Sequence, residues 1–574
     1  MEDFSLLYPQ NAKFTVQKLT PEAINDLSID FLLDNLTDVK NEREHIYNLM
    51  TQVTDDPDVI SYRCDVFEDF LRFPKLRDAM EELVRRLADL KDLERFQKDQ
   101  EGPSLWSLIN RLREIDEYVS CITAIKKILE ELDVQSEGMK TLRQIVTDID
   151  RESGFPQLKA DIDETMEKAR KLKSITIGVN LDDLLRPMSA GVLSLNDDYF
   201  SDAGLMKRFM NFTNKQDGLH EGVDVSSIKR FHPANPSSSS LGLVSYQTSA
   251  VSTDVAIQGS ATGTDALSNA ITKPVTSIMK KTCDDIKSTI KRYVNISGYM
   301  LINLMPEIIF YVRWSELIDK IIEKGMPVCK AKIISPDERN CSFKEIYNLK
   351  LAINNVNGDN INIIKNDIDF DDERRIFILT GPNRGGKTIF TQAVGLAMMM
   401  AQWGVYVPAE SAVISPCDNM FTHFPADEND TVDLGRLGEE SKRLSEIFEI
   451  ATSRSFMLLN ESLATTSVAE GLFIAKDVVK AMRFLGVRCI FNTHMHELAR
   501  SLDELNNGVE GTSRVESLVT GVQQGERSFK VAISPPQGVS YAKDIAQKYG
   551  VTFSQIKTHI EQRDLSTSAD NTEE

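Results

Sequence analysis

The sequence predicts a multidomain protein in which an all-helical region is followed by an α/β domain built around a phosphate-cradling loop. Three observations carry this expectation. The chain has 574 residues, too many for one ordinary hydrophobic core. Its first part repeats apolar residues at helical spacing. Its second part alternates short apolar runs with helical segments, and one run ends in Gly381-Pro-Asn-Arg-Gly-Gly-Lys-Thr388.

Residues from about 20 to 175 have a helical texture. Leu83, Leu87, Leu90 and Leu93 recur at three and four, as do Ile115, Val119, Ile122, Ile125, Leu129 and Leu132, with charges between them. Residues 232–270 are poor in charge and rich in Ser, Thr, Gly and Ala, the composition of a flexible excursion. Val275 to Gly325 then reads as a long helix that Pro306 kinks or breaks, with Lys280, Lys281, Lys287, Lys291 and Arg292 as a solvated face on its first half. From about residue 345 the runs "RIFIL", "FMLL" and "VRCIF" alternate with helices over Gly386–Trp403 and Val468–Leu485, the pattern of an α/β domain. The expected organisation is a helical region over 1–340, the α/β domain over 341–560 and a disordered polar tail over 561–574.

Composition narrows the classes. The net charge of −21 argues against a general basic coat for nucleic acid, although a local basic groove fits on an acidic protein. The acidic start MEDFSLLYPQ is no signal peptide, and no run of about 18 apolar residues occurs, so a soluble cytoplasmic protein without membrane contact is expected. Seven scattered cysteines without a C-x-x-C pair suggest buried reduced thiols rather than disulfides or zinc.

The chemistry lies in the second half. Gly381, Gly386, Lys387 and Thr388 satisfy G-x-x-x-x-G-K-[ST] with a strand before and a helix after. Glycines let backbone N–H groups approach phosphates, Lys387 reaches the β- and γ-phosphates, and the Thr388 hydroxyl can ligate Mg²⁺. ATP with Mg²⁺ is therefore the expected cofactor. In "FMLLNE" a second strand ends in Asn460-Glu461. The first position of such an element holds the Mg²⁺ shell and the second directs the attacking water. Here an amide supplies the first position, reaching the metal through a water and adding no charge, while Glu461 keeps the carboxylate. A third strand ends in Asn492-Thr493-His494, where the imidazole of His494 can sense the γ-phosphate; His496 is read as structural.

Several segments resemble the ATPase domain of the MutS family of DNA mismatch-repair proteins. "TGPNRGGKT", with its Pro382, Asn383 and Gly385, is similar to the family's phosphate loop, and "GVYVPAESAVISPCDNMFTHFPADEN" follows at the family's distance. "LLNESLATTSVAEG", "NTHMHEL" and the closing "GVSYAKDIAQKYGV" look like further family segments. "IIKNDIDF" resembles a segment near the nucleotide base, which places Asn366 and Asp367 there. The resemblance covers residues 360–556, and more thinly the first part, where "CDVFEDFLRFPKLRDAMEEL" looks like the core and lever region. It implies a helical core with long levers joined to an ABC-type ATPase, and a homodimer closing around double-stranded DNA, mismatched or branched.

The chain also departs from that pattern. Asn460 replaces the usual Asp. In "DLGRLGEESKRL" either Gly435 with Arg436 or Gly438 is the signature glycine, and Leu434 stands where the family has serine. His423 and Pro425 replace Arg and Gly. No amino-terminal mismatch-reading domain with a Phe-x-Glu wedge, the kind that stacks into a weakened base step, is recognised; the nearest look-alike, Phe67-Glu68-Asp69, has its Glu one place early. Two functions are thus expected to compete: an ATP-driven DNA clamp reading duplex shape through phosphates, and an ATP-binding switch with slow hydrolysis whose helical arms hold a protein.

Overall fold

A computed structural model describes residues 4–97 except 11 and 13, 105–151, 159–164, 173–181, 187–196, 299–382, 384–424, 435–463, 468–511, 513–523, 526–536 and 549–560, with isolated positions besides. The excursion 232–270, the basic cluster from Lys280 to Arg292 and the tail 561–574 lie outside the described residues. By compactness the chain forms two units. One is Met1–Arg77 with Val134–Met139 and Pro306–Glu574; the other is Asp78–Asp133 with Lys140–Met305.

The first unit begins with β1 (Gln17–Lys18), α1 (Pro21–Asp26), α2 (Ile29–Leu36), α3 (Lys40–Met50), β2 (Gln52–Val53) and α4 (Pro57–Arg72). Local chemistry sets the helix starts. Thr20 accepts the Ala23 N–H ahead of Pro21, and Asp56 accepts those of Asp58 and Val59 ahead of Pro57.

In the second unit, α5 (Pro74–Gln97), whose first residues belong to the first unit, is followed by α6 (Leu105–Glu131) and α7 (Glu137–Arg151). Of the expected apolar seams, Leu83, Leu87, Val119, Ile122, Ile125 and Leu129 are buried and Leu132 is half-buried. A hairpin of β3 (Ser174–Leu181) and β4 (Pro187–Asn196) departs from the all-helical expectation. Ile175, Ile177, Val179 and Leu181 alternate at period two, a strand pattern that begins where the helical texture ends.

The chain returns to the first unit along α8 (Tyr299–Glu323), which continues through Pro306 instead of ending there. Two sheets follow. The smaller has the order β5 (Lys332–Ile333), β9 (Ser411–Ile414), β6 (Cys341–Ile346) and β7 (Asn366–Phe370), with α9 (Leu349–Val356) between β6 and β7 in sequence. The larger has the order β10 (Met420–His423), β11 (Phe456–Asn460), β12 (Arg488–Asn492), β8 (Arg374–Thr380), β13 (Arg514–Gln523) and β14 (Glu526–Ile533). All neighbours in it are parallel except β13 and β14.

The crossovers of the larger sheet carry α10 (Lys387–Trp403), α11 (Gly435–Ile450), α12 (Val468–Leu485), α13 (His496–Arg500) and α14 (Leu502–Asn507). Its strands read as continuous apolar runs because both faces are covered. Ile376, Ile378, Met457, Leu459, Cys489 and Phe491 form one core with Ala475, Val479 and Met482 of α12. The described cysteines are free thiols, all buried except the half-buried Cys329. Among the described residues no helix is long and apolar enough to cross a membrane.

Candidate active site

Strand register brings the sequence motifs together. Leu379 of β8 pairs with Asn492 of β12, and Asn492 pairs with Asn460 of β11. Three carboxyl-terminal strand ends therefore lie side by side, at the edge where parallel sheets form their sites. The polypeptide leaves β8 at this edge, makes the glycine loop and enters α10.

Steric closeness explains the loop's glycines. A Cβ on Gly381 would stand 1.9 Å from Thr520 Oγ1, and one on Gly385 would stand 2.7 Å from the Pro382 carbonyl oxygen. Gly381 and Gly386 also have φ of 144° and 86°, open to glycine at little cost. The Gly385 N–H donates to the Pro382 carbonyl at 3.0 Å. Lys387 is buried, and its Nζ donates to the carbonyls of Gly381 and Pro382 at 3.2 and 3.3 Å. Burial lowers its pKa, against which Glu461 acts. Asn383 lies outside the described residues.

Beside the loop, Thr388 Oγ1 donates to Asn460 Oδ1 at 3.0 Å, and Asn492 Nδ2 donates to the same oxygen. Glu461 follows with φ of 52°, a left-handed conformation that non-glycine residues seldom adopt, and its N–H donates to the Asn492 carbonyl at 2.8 Å. The next residue, Ser462, hydrogen-bonds His423 Nδ1 at 2.7 Å and donates to the His423 carbonyl at 3.0 Å. Burial pushes the His423 pKa down to about 4, and Arg443 adds to that. His423 is therefore a buried imidazole bonded to the residue that follows the Asn460-Glu461 pair.

His494 is exposed on the loop after β12. His496 is half-buried; burial lowers its pKa, Glu497 opposes, and Arg500, Lys387 and His494 add to the lowering. The imidazole read as structural is thus within electrostatic reach of the loop lysine. Asn366 sits at the start of β7 with its amide bound to β14: Nδ2 donates to the Phe529 carbonyl at 3.3 Å and Oδ1 accepts the Val531 N–H at 2.8 Å. Phe529 in turn reaches the loop, its ring 3.1 Å from where a Gly386 Cβ would be. Asp367 accepts the Glu345 N–H at 2.7 Å. Gly435, Arg436 and Gly438 fall in the first turn of α11.

These residues fit a nucleotide with a hydrated divalent cation. Buried Asn492 Oδ1 and the hydroxyls of Thr380 and Thr520 have no hydrogen-bond partner; Asn492 and Thr380 end their strands, and Thr520 follows Val519, the β13 partner of Thr380. Buried polar groups are normally paired, so their vacancy marks a place for a polar ligand. Among the described residues no group of three His, Cys, Asp or Glu could hold a metal alone. A cation here would rest on hydroxyl, amide and phosphate oxygens. Sequence reasoning gave Asn492 no role, yet a polar residue closing the apolar run "VRCIF" was the available signal.

Comparison with known proteins adds two family matches. Residues 377–557 match the MutS domain V model and residues 55–324 the MutS2 N-terminal domain model. The chain is 31% identical over 209 residues to the DNA mismatch repair protein MutS of Chlorobium chlorochromatii, covering 35% of this chain and 24% of that protein. It is 32% identical over 213 residues to the Chlorobium limicola protein of the same name, covering 36% and 24%. It is 28% identical over 216 residues to the endonuclease MutS2 of Thermus thermophilus, covering 38% and 28%. The chain thus spans about a quarter of the length of the curated relatives it matches.

Proposed function

Proceeding from a MutS-family chain that carries both a domain V and a MutS2-type N-terminal domain, we propose an ATP-dependent DNA-binding protein of repair or recombination control. It acts in the cytoplasm as a homodimeric clamp on mismatched, branched or otherwise distorted duplex. Residues 1–340 form the core, lever and clamp region, 341–560 the ATPase, and 561–574 a tail. The observation that carries this reading is the meeting of Lys387, Thr388, Asn460 and Asn492 at one sheet edge.

Each residue has a role in that reading. The backbone of 381–386 cradles the phosphates, with Asn366 holding β14 and Phe529 against the loop. Lys387 exchanges its two carbonyl partners for phosphate oxygens, a stronger charge-assisted contact. Thr388 and, through a water, Asn460 are the residues that would hold Mg²⁺, which would supply positive charge to the phosphate oxygens. Glu461 orients the attacking water and His494 contacts the terminal phosphate. Nucleotide state shifts the clamp only as far as ATP binds its open and closed forms differently.

A second reading, an ATP-binding switch that holds a protein partner, is favoured by the uncharged amide at 460 and the net charge of −21. Fluorescence anisotropy with plain, mismatched and branched duplexes, with and without ATP and at two salt concentrations, separates the two. Salt-sensitive binding that ATP modulates supports the clamp, because phosphate contacts release counterions. Binding to none of the duplexes rejects it in favour of the switch.

A further inference from the structure

An acid at the end of β11 would present two equivalent acceptors, whereas an amide has a right and a wrong end. Turned one way, Asn460 offers its carbonyl oxygen to Thr388 and the cation position; turned the other, it presents an NH₂ that repels a cation and leaves the Thr388 hydroxyl facing a donor. Thr388 cannot choose between them, since a hydroxyl both donates and accepts.

The neighbouring strand can choose. Asn492 ends β12 directly opposite Asn460, is 0% exposed, and sends Nδ2 to Asn460 Oδ1. The same Nδ2 lies 3.5 Å from Thr388 Oγ1, so one NH₂ group faces both acceptors. Flipping Asn492 would leave that NH₂ buried with two unmet donors, a costlier orphan than the single unpartnered carbonyl Oδ1 it now has. Asn460 Oδ1 is then held as a neutral acceptor beside Thr388, suited to the water shell of a hard cation.

We propose that Asn492 is a positioning residue for the divalent cation of the nucleotide: its amide donates to Asn460 Oδ1 and so holds that oxygen, not the amide nitrogen, toward Thr388 and the cation. The chain replaces a charged carboxylate with two coupled amides on adjacent strands. The inference rests on the nucleotide-site reading above.

The test is affinity of the full chain for a fluorescent ATP analogue, in Mg²⁺ and in excess EDTA, for wild type, Asn492→Ala, Asn460→Asp and the double variant. Asn492→Ala lowers the ratio of the two affinities about fivefold, the worth of one orienting hydrogen bond. In the Asn460→Asp background the same change moves the ratio less than about twofold, because either carboxylate oxygen accepts. Asn492→Leu, which fills the buried volume without a donor, gives the same result as Ala and guards against loss of fold. An unchanged ratio in Asn492→Ala and Asn492→Leu, or an equal fall in both backgrounds, overturns the inference and makes Asn492 a packing residue. A wild type that binds the analogue equally in both buffers overturns it while leaving the nucleotide site standing. A wild type that binds in neither buffer removes the nucleotide site itself and the inference with it.

Discussion

The two ends of α10 face opposite tasks. At its first turn, Lys387 and Thr388 sit among polar groups of which several have no partner. At its last turn nearly everything is paired: Gln402 Nε2 donates to the carbonyls of Thr54 and Cys417 at 2.8 Å, and Trp403 Nε1 donates to the Met50 carbonyl at 2.9 Å. Arg63 of α4 donates through Nη1 to the Gln402 carbonyl at 3.2 Å and through Nε to the Leu7 carbonyl at 3.0 Å. Gly404 closes the helix with φ of 79°, and a Cβ there would stand 2.2 Å from Arg63 Cβ. Both ends carry buried polar side chains, Lys387 at the first and Gln402 at the last. Satisfaction, not polarity, separates the end that anchors from the end proposed to bind.

The comparison breaks most sharply at the anchored end. Arg63→Ala leaves two buried carbonyls unpaired and opens a cavity, an expected loss of about 3–4 kcal/mol in chemical denaturation. Nucleotide affinity of the folded variant stays within about twofold if the two ends are independent; a large fall would show that the back of α10 controls its front. Next comes Lys387→Ala, which lowers ATP affinity about a hundredfold in a binding titration, as loss of a charge-assisted contact requires. Unchanged binding would remove the phosphate loop from the site.

Gly395, midway along α10, has Leu458 Cδ1 at 2.5 Å and Leu27 Cδ2 at 2.8 Å from its would-be Cβ. Gly395→Ala should therefore cost about 2 kcal/mol by overpacking, although alanine is the better helix former. A gain in the thermal midpoint would show that these leucines move aside freely.

A smaller effect follows from Glu307, whose carboxylate accepts the Leu6 N–H at 2.6 Å and the Ser5 hydroxyl at 2.8 Å, fixing the segment that Arg63 grips. Burial raises its pKa from 4.5 to about 7, while those two hydrogen bonds act the other way. The folded state thus binds the proton more tightly than the unfolded one. The contribution is fully present below about pH 4.5 and is lost as pH rises through about 7. The thermal midpoint should fall by about 2 °C between mildly acidic and mildly alkaline buffer, and Glu307→Gln should flatten that slope. Smallest of all, Asn460→Asp should raise Mg²⁺-dependent turnover or leave it unchanged; a collapse in steady-state ATPase rate would give the amide a role that a carboxylate cannot fill.

Legibility followed range along the chain. The phosphate loop, the ends of β8, β11 and β12, and the helices over 387–403 and 468–485 were readable because each depends on a few consecutive residues. The β3–β4 hairpin was missed although its alternation begins where the helical texture ends, at about residue 175. Asn366 was read only as a residue near the nucleotide base; its hydrogen bonds to Phe529 and Val531 were illegible because those partners lie far along the chain. Asn492 was visible as a polar strand end and silent about its partner.

What the sequence by itself determined is the set of residue types and their order: a glycine loop in the pattern expected to approach phosphate, a lysine and a hydroxyl to follow, and polar residues closing apolar strands. What only the tertiary structure decided is the pairing. Strand register set Asn460 against Asn492, and packing set Arg63 against the last turn of α10. The physical reason is that short motifs are fixed by local backbone geometry, whereas the partner of a buried polar group is chosen by whichever distant segment the fold brings within hydrogen-bond reach.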